Sequence, residues 1–236
     1  MQRYFGAVKQ GQVSLCEDDI FHLTRVMRAK PGTMIEVVAE NKVLLCKCVT
    51  FNPLKIEVVD EKKENNELPN EVILIASLIK GEHMDLVLQK ATELGVKEIV
   101  LLNTERTIAK VNGEAKLERF RKILKEAAEQ SKRNVIPTLE KVISMNELDK
   151  VDADVKLIAY EGDQGSSKSF ENEVKSIKPG QKVALLVGPE GGFSEKEVDL
   201  ATKQGFIRVG LGKRILRAET ASFFMLSVIA NSLESK

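Results

Sequence analysis

Two short segments in the C-terminal quarter of the chain carry the residue types that could do chemistry: Gly188-Pro-Glu-Gly-Gly192 and Leu211-Gly-Lys-Arg-Ile-Leu-Arg-Ala-Glu-Thr-Ala221. A turn with three glycines lets a ligand approach the main chain closely, because no Cβ holds it off, and Pro189 stiffens the turn in advance. Recognition there would run through backbone amides and carbonyls. Taken alone, such a turn serves equally well as a tight connection with no ligand. The second segment shifts the balance. Lys213, Arg214, Arg217, Glu219 and Thr220 crowd around Ile215 and Leu216 where a strand ends and an apolar helix begins, and charges in such a place must be desolvated or paired.

The elements that must position these segments follow from the pattern around them. Val183-Ala-Leu-Leu-Val187 is short, continuously apolar and bounded by glycine, which predicts a buried strand. Ser194 with Glu197 three residues on fits a capping box, and Val198, Leu200 and Ala201 start the apolar face of a helix that Gly205 ends. Phe206-Ile-Arg-Val209 reads as the next strand, and residues 221–233 as a helix. Residues 223–229 are apolar or small on every side, which predicts burial. Strand, glycine turn, helix is the geometry of a ligand site in an α/β sheet.

Together these segments closely resemble the C-terminal half of the SPOUT methyltransferases, in particular the family that methylates N3 of a uridine in small-subunit (16S) ribosomal RNA. In that family GPEGG-F-S-x-x-E is followed by LG-x-R-ILR-x-ETA, and both stand here without a gap. The likeness extends upstream to His22-Leu-x-x-Val-Met-Arg28, to Lys80-Gly-Glu-His-Met-Asp-Leu with Lys90-Ala-Thr-Glu-Leu-Gly-Val96, and to Glu126-Ala-Ala-Glu-Gln-Ser-Lys-Arg133 with Ile136-Pro137. It covers nearly the whole chain.

Bulk properties bound the answer independently. A chain of 236 residues that is 43% hydrophobic can build a real core as one large domain or two smaller ones. With 36 Lys and Arg against 35 Asp and Glu, no global basic field announces a nucleic-acid partner, so any RNA footprint must be local. Cys46 and Cys48 lie two apart on a probable strand and point to one face, which predicts a buried thiol pair rather than a disulfide or zinc set. The start Met-Gln-Arg-Tyr-Phe lacks the apolar core of a signal peptide, and residues 221–233 are too short to span a bilayer. A reduced, cytoplasmic protein without membrane or metal is expected.

From residue 1 to about 67 the signals are those of β structure. Ile35-Glu-Val-Val38, Val43-Leu-Leu-Cys-Lys-Cys-Val49 and Lys55-Ile-Glu-Val-Val59 are separated by turns at Glu40-Asn41 and Asn52-Pro53. A helical spacing over residues 18–30 puts Ile20, Leu23, Val26 and Met27 on one side. Arg25, Arg28 and Lys30 follow closely, and a solvated face explains them as readily as RNA does. His22 alone reads as structural. Residues 61–70, charged and ending Leu-Pro-Asn, read as a linker.

Beyond it, strands alternate with helices. Val72-Ile-Leu-Ile-Ala-Ser-Leu-Ile79, a helical stripe of Met84, Val87, Leu88 and Ala91 stopped at Gly95, and Glu98-Ile-Val-Leu-Leu102 imply a parallel sheet with right-handed crossovers. Residues 114–133 form an amphipathic helix with Leu117, Phe120, Leu124, Ala127 and Ser131 on one side. Gln130, Lys132 and Arg133 sit at its C-terminal end, where cations are favourable for local reasons. Lys156-Leu-Ile-Ala-Tyr160 is a further strand, and the acidic, glycine-containing loop that begins at Glu161 could hold a ribose hydroxyl or simply turn the chain. No G-x-G-x-x-G, Walker loop or zinc-ligand pair occurs.

The resemblance implies more than spacing can. It implies an α/β fold: a PUA-like β-barrel RNA-binding domain over residues 1–68, then a SPOUT domain over residues 69–236 with a mainly parallel sheet, helices on both faces and a deep trefoil knot at the second segment. It implies S-adenosyl-L-methionine as cofactor, held by three loops: Tyr160 and Glu161 after one strand; Leu186, Gly188, Pro189, Glu190, Gly191 and Gly192 around the next; and Leu211, Gly212, Ile215, Leu216, Arg217, Thr220 and Ala221. It implies a homodimer through the knotted domain, with 16S rRNA or the 30S subunit as partner.

For methylation at uracil N3 the enzyme must remove a weakly acidic proton, stabilise the anion and align it with the methyl group. Arg217, always charged and a rigid fork of donors, is the stabiliser. Glu219 and Glu190 are candidate bases, and water assisted by Arg217 remains a third. RNA contacts would come from Arg3, Arg25, Arg28, Lys80, Arg106, Gln130, Arg133 and Lys213. Competing readings are a SPOUT enzyme acting on transfer RNA or 23S rRNA, and a non-catalytic ribosome-assembly factor with a vestigial pocket. A nucleotide-phosphate binder is disfavoured by the lack of a P-loop lysine after GPEGG.

Overall fold

The computed structural model of the chain describes residues 1–9, 12–111, 113–160 and 168–235. They form two compact units, Met1–Glu67 with Ala128–Ile136, and Leu68–Ala127 with Pro137–Lys236.

The first unit holds β1 (Arg3–Phe5), β2 (Ala7–Lys9), β3 (Gln12–Ser14), α1 (Glu17–Phe21), β4 (Met34–Ala39), β5 (Lys42–Phe51) and β6 (Leu54–Lys62). Its sheet runs β1-β4-β5-β6, with β1 parallel to β4 and the remaining pairs antiparallel, while β2 and β3 make a separate hairpin. Tyr4, Leu23, Ile35, Val37, Cys46, Cys48 and Ile56 fill the interior. Cys46 and Cys48 are both fully buried and unbridged; burial pushes both thiols up, Cys46 to about 11, so neither is a ready thiolate. His22 is structural, its Nδ1 lying 2.9 Å from the Tyr4 hydroxyl.

Two expectations need correction here. The predicted helix widens after α1 into a π-turn over His22–Val26, and Arg28 at φ 49° ends it. The wider turn rotates the apolar stripe: Leu23 stays buried, but Val26 and Met27 join Phe21 on the outside. Residues 63–67 are also fastened rather than a free linker. Glu64 and Glu67 are ion-paired to Arg3 and Arg133, and Glu67 also accepts the Asn134 amide at 2.8 Å.

The second unit holds β7 (Val72–Ser77), α2 (Glu82–Glu93), β8 (Glu98–Asn103), α3 (Glu114–Gln130, whose last turn belongs to the first unit), β9 (Thr138–Ser144), β10 (Val155–Ala159), β11 (Lys168–Ser169), α4 (Phe170–Lys175), β12 (Val183–Val187), α5 (Glu195–Lys203), β13 (Ile207–Gly210) and α6 (Ala218–Glu234). Seven strands in the order β11-β13-β10-β12-β7-β8-β9 pair in parallel throughout. The chain builds outward from β7 through β8 to β9, then returns. Strand β10 leaves a space beside β7 that β12 fills, which puts β12 in the middle and explains its wholly buried, continuously apolar sequence. The edge strand β9, with its mixed composition, and the short α4 gave no periodic signal.

Helix ends follow local rules. In α5 the Ser194 amide donates to Glu197 Oε2 at 2.8 Å while the Glu197 amide donates to Ser194 Oγ at 3.4 Å, and Gly205 at φ 90° turns the chain out. In α2 the predicted stripe of Met84, Val87, Leu88 and Ala91 is buried. Helix α6 departs from expectation: Met225, Leu226, Ile229 and Leu233 are buried, but Phe224 is 41% exposed, so one chain covers only one side of it.

Candidate active site

The site grows from the strand order. Strands β13, β10 and β12 are neighbours, and Ile158 of β10 stands opposite both Arg208 and Leu186. Three parallel strands in register release their chains at one edge, so Tyr160, Gly188 and Leu211 start three adjacent loops at the carboxyl end of the sheet. Tyr160 is half-buried against the core and its amide donates to the Val209 carbonyl at 3.2 Å. Glu161 lies outside the described residues.

The glycine turn is held from three directions. Gly192, at φ 66°, closes it by donating to the Pro189 carbonyl at 2.9 Å. Arg106, in the loop after β8, donates from Nη1 to the Gly191 carbonyl at 2.9 Å. The Lys80 amide donates to Glu190 Oε1 at 3.0 Å, so this carboxylate ties the turn to the connection between β7 and α2. Below it Phe193 is buried, and a Cβ placed on Gly188 would come within 3.0 Å of that ring. A Cβ on Gly192 or Gly212 would meet nothing within 4 Å. The main chain at these two glycines is open on one side and strained for any other residue, which suits a ligand read by backbone atoms.

In the second segment Gly212 turns the chain at φ 115°, Leu211 and Leu216 are half-buried, and Lys213, Arg214, Ile215, Arg217 and Thr220 are exposed, Ile215 to 81%. Arg217 caps α6, its carbonyl accepting the Ala221 amide at 2.8 Å. Among the described residues Lys213, Arg214 and Arg217 make no ion pair. Arg217, the N-cap, is a cation at a helix N-terminus, where it opposes the helix dipole and a negatively charged group beside it would be favourable. Two residues on, the Glu219 side chain is 12% exposed, and its Oε1 lies 3.5 Å from Nδ1 of His83 in the first turn of α2. His83 was missed as a site residue from sequence. Its signal was a lone histidine inside the Lys80-to-Leu86 motif, and nothing local ties it to α6.

Several candidate residues change meaning. Leu186 is fully buried in β12 and Pro189 is buried, so their side chains are core rather than ligand wall. Arg3 and Arg133 are corrected as RNA contacts: their side chains are 0% and 2% exposed and already neutralised, Arg3 by Glu36 and Glu64, Arg133 by Glu67. A buried, paired guanidinium has no donors to offer a phosphate. Arg25, Arg28, Lys80, Gln130 and Lys213 remain on the surface, and Arg106 divides an exposed side chain between solvent and Gly191.

The parallel sheet opens a glycine turn and an arginine-rich turn side by side, and a family model described as an RNA methyltransferase domain matches residues 66–230. The ribosomal RNA small subunit methyltransferase E of Bacillus subtilis is 35% identical over 99% of this chain and 98% of its own length, and that of Mesomycoplasma hyopneumoniae 33% identical over 96% and 98%. The crystal structure of a ribosomal RNA small subunit methyltransferase E from Neisseria gonorrhoeae bound to S-adenosyl methionine superposes with TM-score 0.87 and 32% identity over 98% of this chain and 97% of that one. The chain belongs to the ribosomal RNA small subunit methyltransferase E family.

Proposed function

We propose that this chain transfers a methyl group from S-adenosylmethionine to N3 of a uridine in 16S ribosomal RNA. The observation that carries the reading is the adjacency of three loop starts, Tyr160, Gly188 and Leu211, the last leading to an exposed Arg217 that makes no ion pair among the described residues. The bound donor supplies a methyl group on a sulfonium, electrophilic without help from a metal. The chain's own residues do the rest. Backbone at Gly191, Gly192 and Gly212 reads the donor, while Arg217 lies where negative charge develops on the uracil oxygens and offers donors fixed in a plane. Glu190 is engaged by the Lys80 amide, which leaves Glu219 as the carboxylate nearest the reacting ring.

The target base has to leave its stack, at a cost of a few kcal/mol that basic contacts offset. Arg25, Arg28, Lys80, Arg106, Gln130 and Lys213 are the surface residues for this, and affinity for RNA falls with salt in proportion to the phosphates neutralised. Residues 1–68 serve as a PUA-like RNA-binding domain and residues 69–236 as a SPOUT domain whose second segment threads a trefoil knot. The uncovered Phe224 side of α6 supports a homodimer. No described helix is long and apolar enough to cross a membrane, and a ribosomal substrate places the work in the cytoplasm.

The test is direct. 16S rRNA or 30S subunits are incubated with the chain and labelled S-adenosylmethionine, then digested and mapped by mass. Label in 3-methyluridine is the expected outcome; label in a ribose or a guanine, or none, overturns the assignment.

A further inference from the structure

We infer that His83 is the general base that takes the uracil N3 proton, with Glu219 behind it as the carboxylate that orients the ring; this rests on the uridine-N3 reading above. His83 bridges the two motif segments. The Lys80 amide, three residues before it, holds Glu190 of the glycine turn at 3.0 Å, and the His83 ring itself meets Glu219, two residues beyond Arg217, at 3.5 Å. His83 is thereby placed between a residue tied to the glycine turn and the segment that carries Arg217.

The chemistry favours imidazole over carboxylate. A carboxylate is a far weaker base than the uracil anion, whereas imidazole is the stronger base of the two and loses less driving force in taking the proton. With Nδ1 turned to Glu219, the tautomer that donates there leaves the Nε2 lone pair free. The 3.5 Å separation needs to close by only a few tenths of an ångström to become that hydrogen bond, and such bonds are often long before substrate arrives. The N3–H bond breaks toward Nε2, the nitrogen pair attacks the methyl carbon, and the S–CH3 pair returns to sulfur to give the thioether. The His83 side chain is 55% exposed, so the proton then passes to water. Among the described residues the charged neighbours are Glu82 and Asp85 on α2, Asp85 being held by Arg119 of α3 through two 2.7 Å bonds, and Glu219 facing from α6.

The experiment compares wild type, His83→Gln and Glu219→Gln by the pH dependence of turnover on 16S rRNA, by calorimetric affinity for S-adenosylmethionine, and by nitrogen NMR of the two imidazoles in the free protein. His83→Gln should lower turnover near neutrality about 10²-fold or more, leave donor affinity unchanged, and abolish the acidic inflection so that the rate climbs with hydroxide. Glu219→Gln, whose amide oxygen still accepts but carries no charge, should lose less, keep the inflection, and weaken the preference of His83 for the Nδ1–H tautomer. A His83→Gln chain with wild-type turnover and profile overturns the inference, as does a tautomer indifferent to Glu219→Gln. A wild type that never methylates uridine N3 overturns the underlying reading and this one with it, and is recognised because the unmodified chain is then itself silent.

Discussion

Arg106 donates from Nη1 to the main-chain oxygen of Gly191 at 2.9 Å, and the amide of its neighbour Glu105 donates to the Glu197 carboxylate at 2.7 Å. One loop thus holds both the glycine turn and the capping carboxylate of the helix that follows it. The glycine turn is held by a residue far away in sequence.

Removing that hold should cost preorganisation more than fold. Arg106→Ala is expected to weaken S-adenosylmethionine binding about five- to tenfold, the value of about 1 kcal/mol for one partly exposed charged hydrogen bond, with little change in melting temperature. Isothermal titration calorimetry beside a thermal melt checks it; unchanged affinity would confine Arg106 to RNA.

Gly212 tests the backbone directly. At φ 115°, with nothing within 4 Å of the position an added methyl would take, Gly212→Ala collides with nothing and costs only conformational strain, on the order of 1–3 kcal/mol. The melting temperature should fall by several degrees and donor affinity should fall with it. An alanine tolerated without loss of either would show that the turn can be redrawn.

Substitution of Arg217 tests whether binding and chemistry separate. Arg217→Ala should lower turnover about 10²- to 10³-fold, as the loss of a donor to a developing negative charge does, while donor affinity changes little. Arg217→Lys should recover only part, because an ammonium keeps the charge but not the planar fork. Single-turnover kinetics with saturating donor reads this out, and equal rates in the three chains would remove Arg217 from the mechanism.

Acid stability should report Glu36. Burial alone would push this carboxyl up, but Lys132, Lys62 and Arg3 overcome it and hold it at about 2. A carboxyl depressed in the folded state contributes stability above its unfolded value, near 4.3, and that contribution drains away as pH falls from there toward about 2. Glu36→Gln should destabilise the chain at neutral pH by on the order of 3 kcal/mol, since it takes the carboxylate from Lys62 and Lys132 and leaves Arg3 with Glu64 alone, and should flatten the loss of stability between about pH 4.5 and 2. Urea unfolding at a series of pH values measures both; parallel curves for the two chains would contradict it.

Much of the frame around the candidate site was legible because the rules behind it are local. The Ser194 and Glu197 capping box, the left-handed glycine that ends α5 and the buried run of β12 each depend on a few consecutive residues, and each occurs where the pattern put it. Arg3 and Arg133 were misread for the complementary reason. A basic residue advertises its charge in sequence, but whether it meets solvent or a carboxylate 61 or 66 positions away depends on packing that no window contains. The π-turn after α1 was hidden likewise, because its apolar spacing matches an ordinary helix.

The chain's order of residues was enough to predict the strands β7, β8, β10 and β12, the helices α2, α3, α5 and α6, the capping box of α5 and the buried face that two cysteines share. Only tertiary structure decided that β12 slots between β10 and β7, bringing loop starts at Tyr160, Gly188 and Leu211 to one edge, and that His83 meets Glu219. The reason is physical. Propensity and capping act over a turn or two of chain, whereas parallel strand order and side-chain pairing are chosen by whichever crossover buries the most apolar surface.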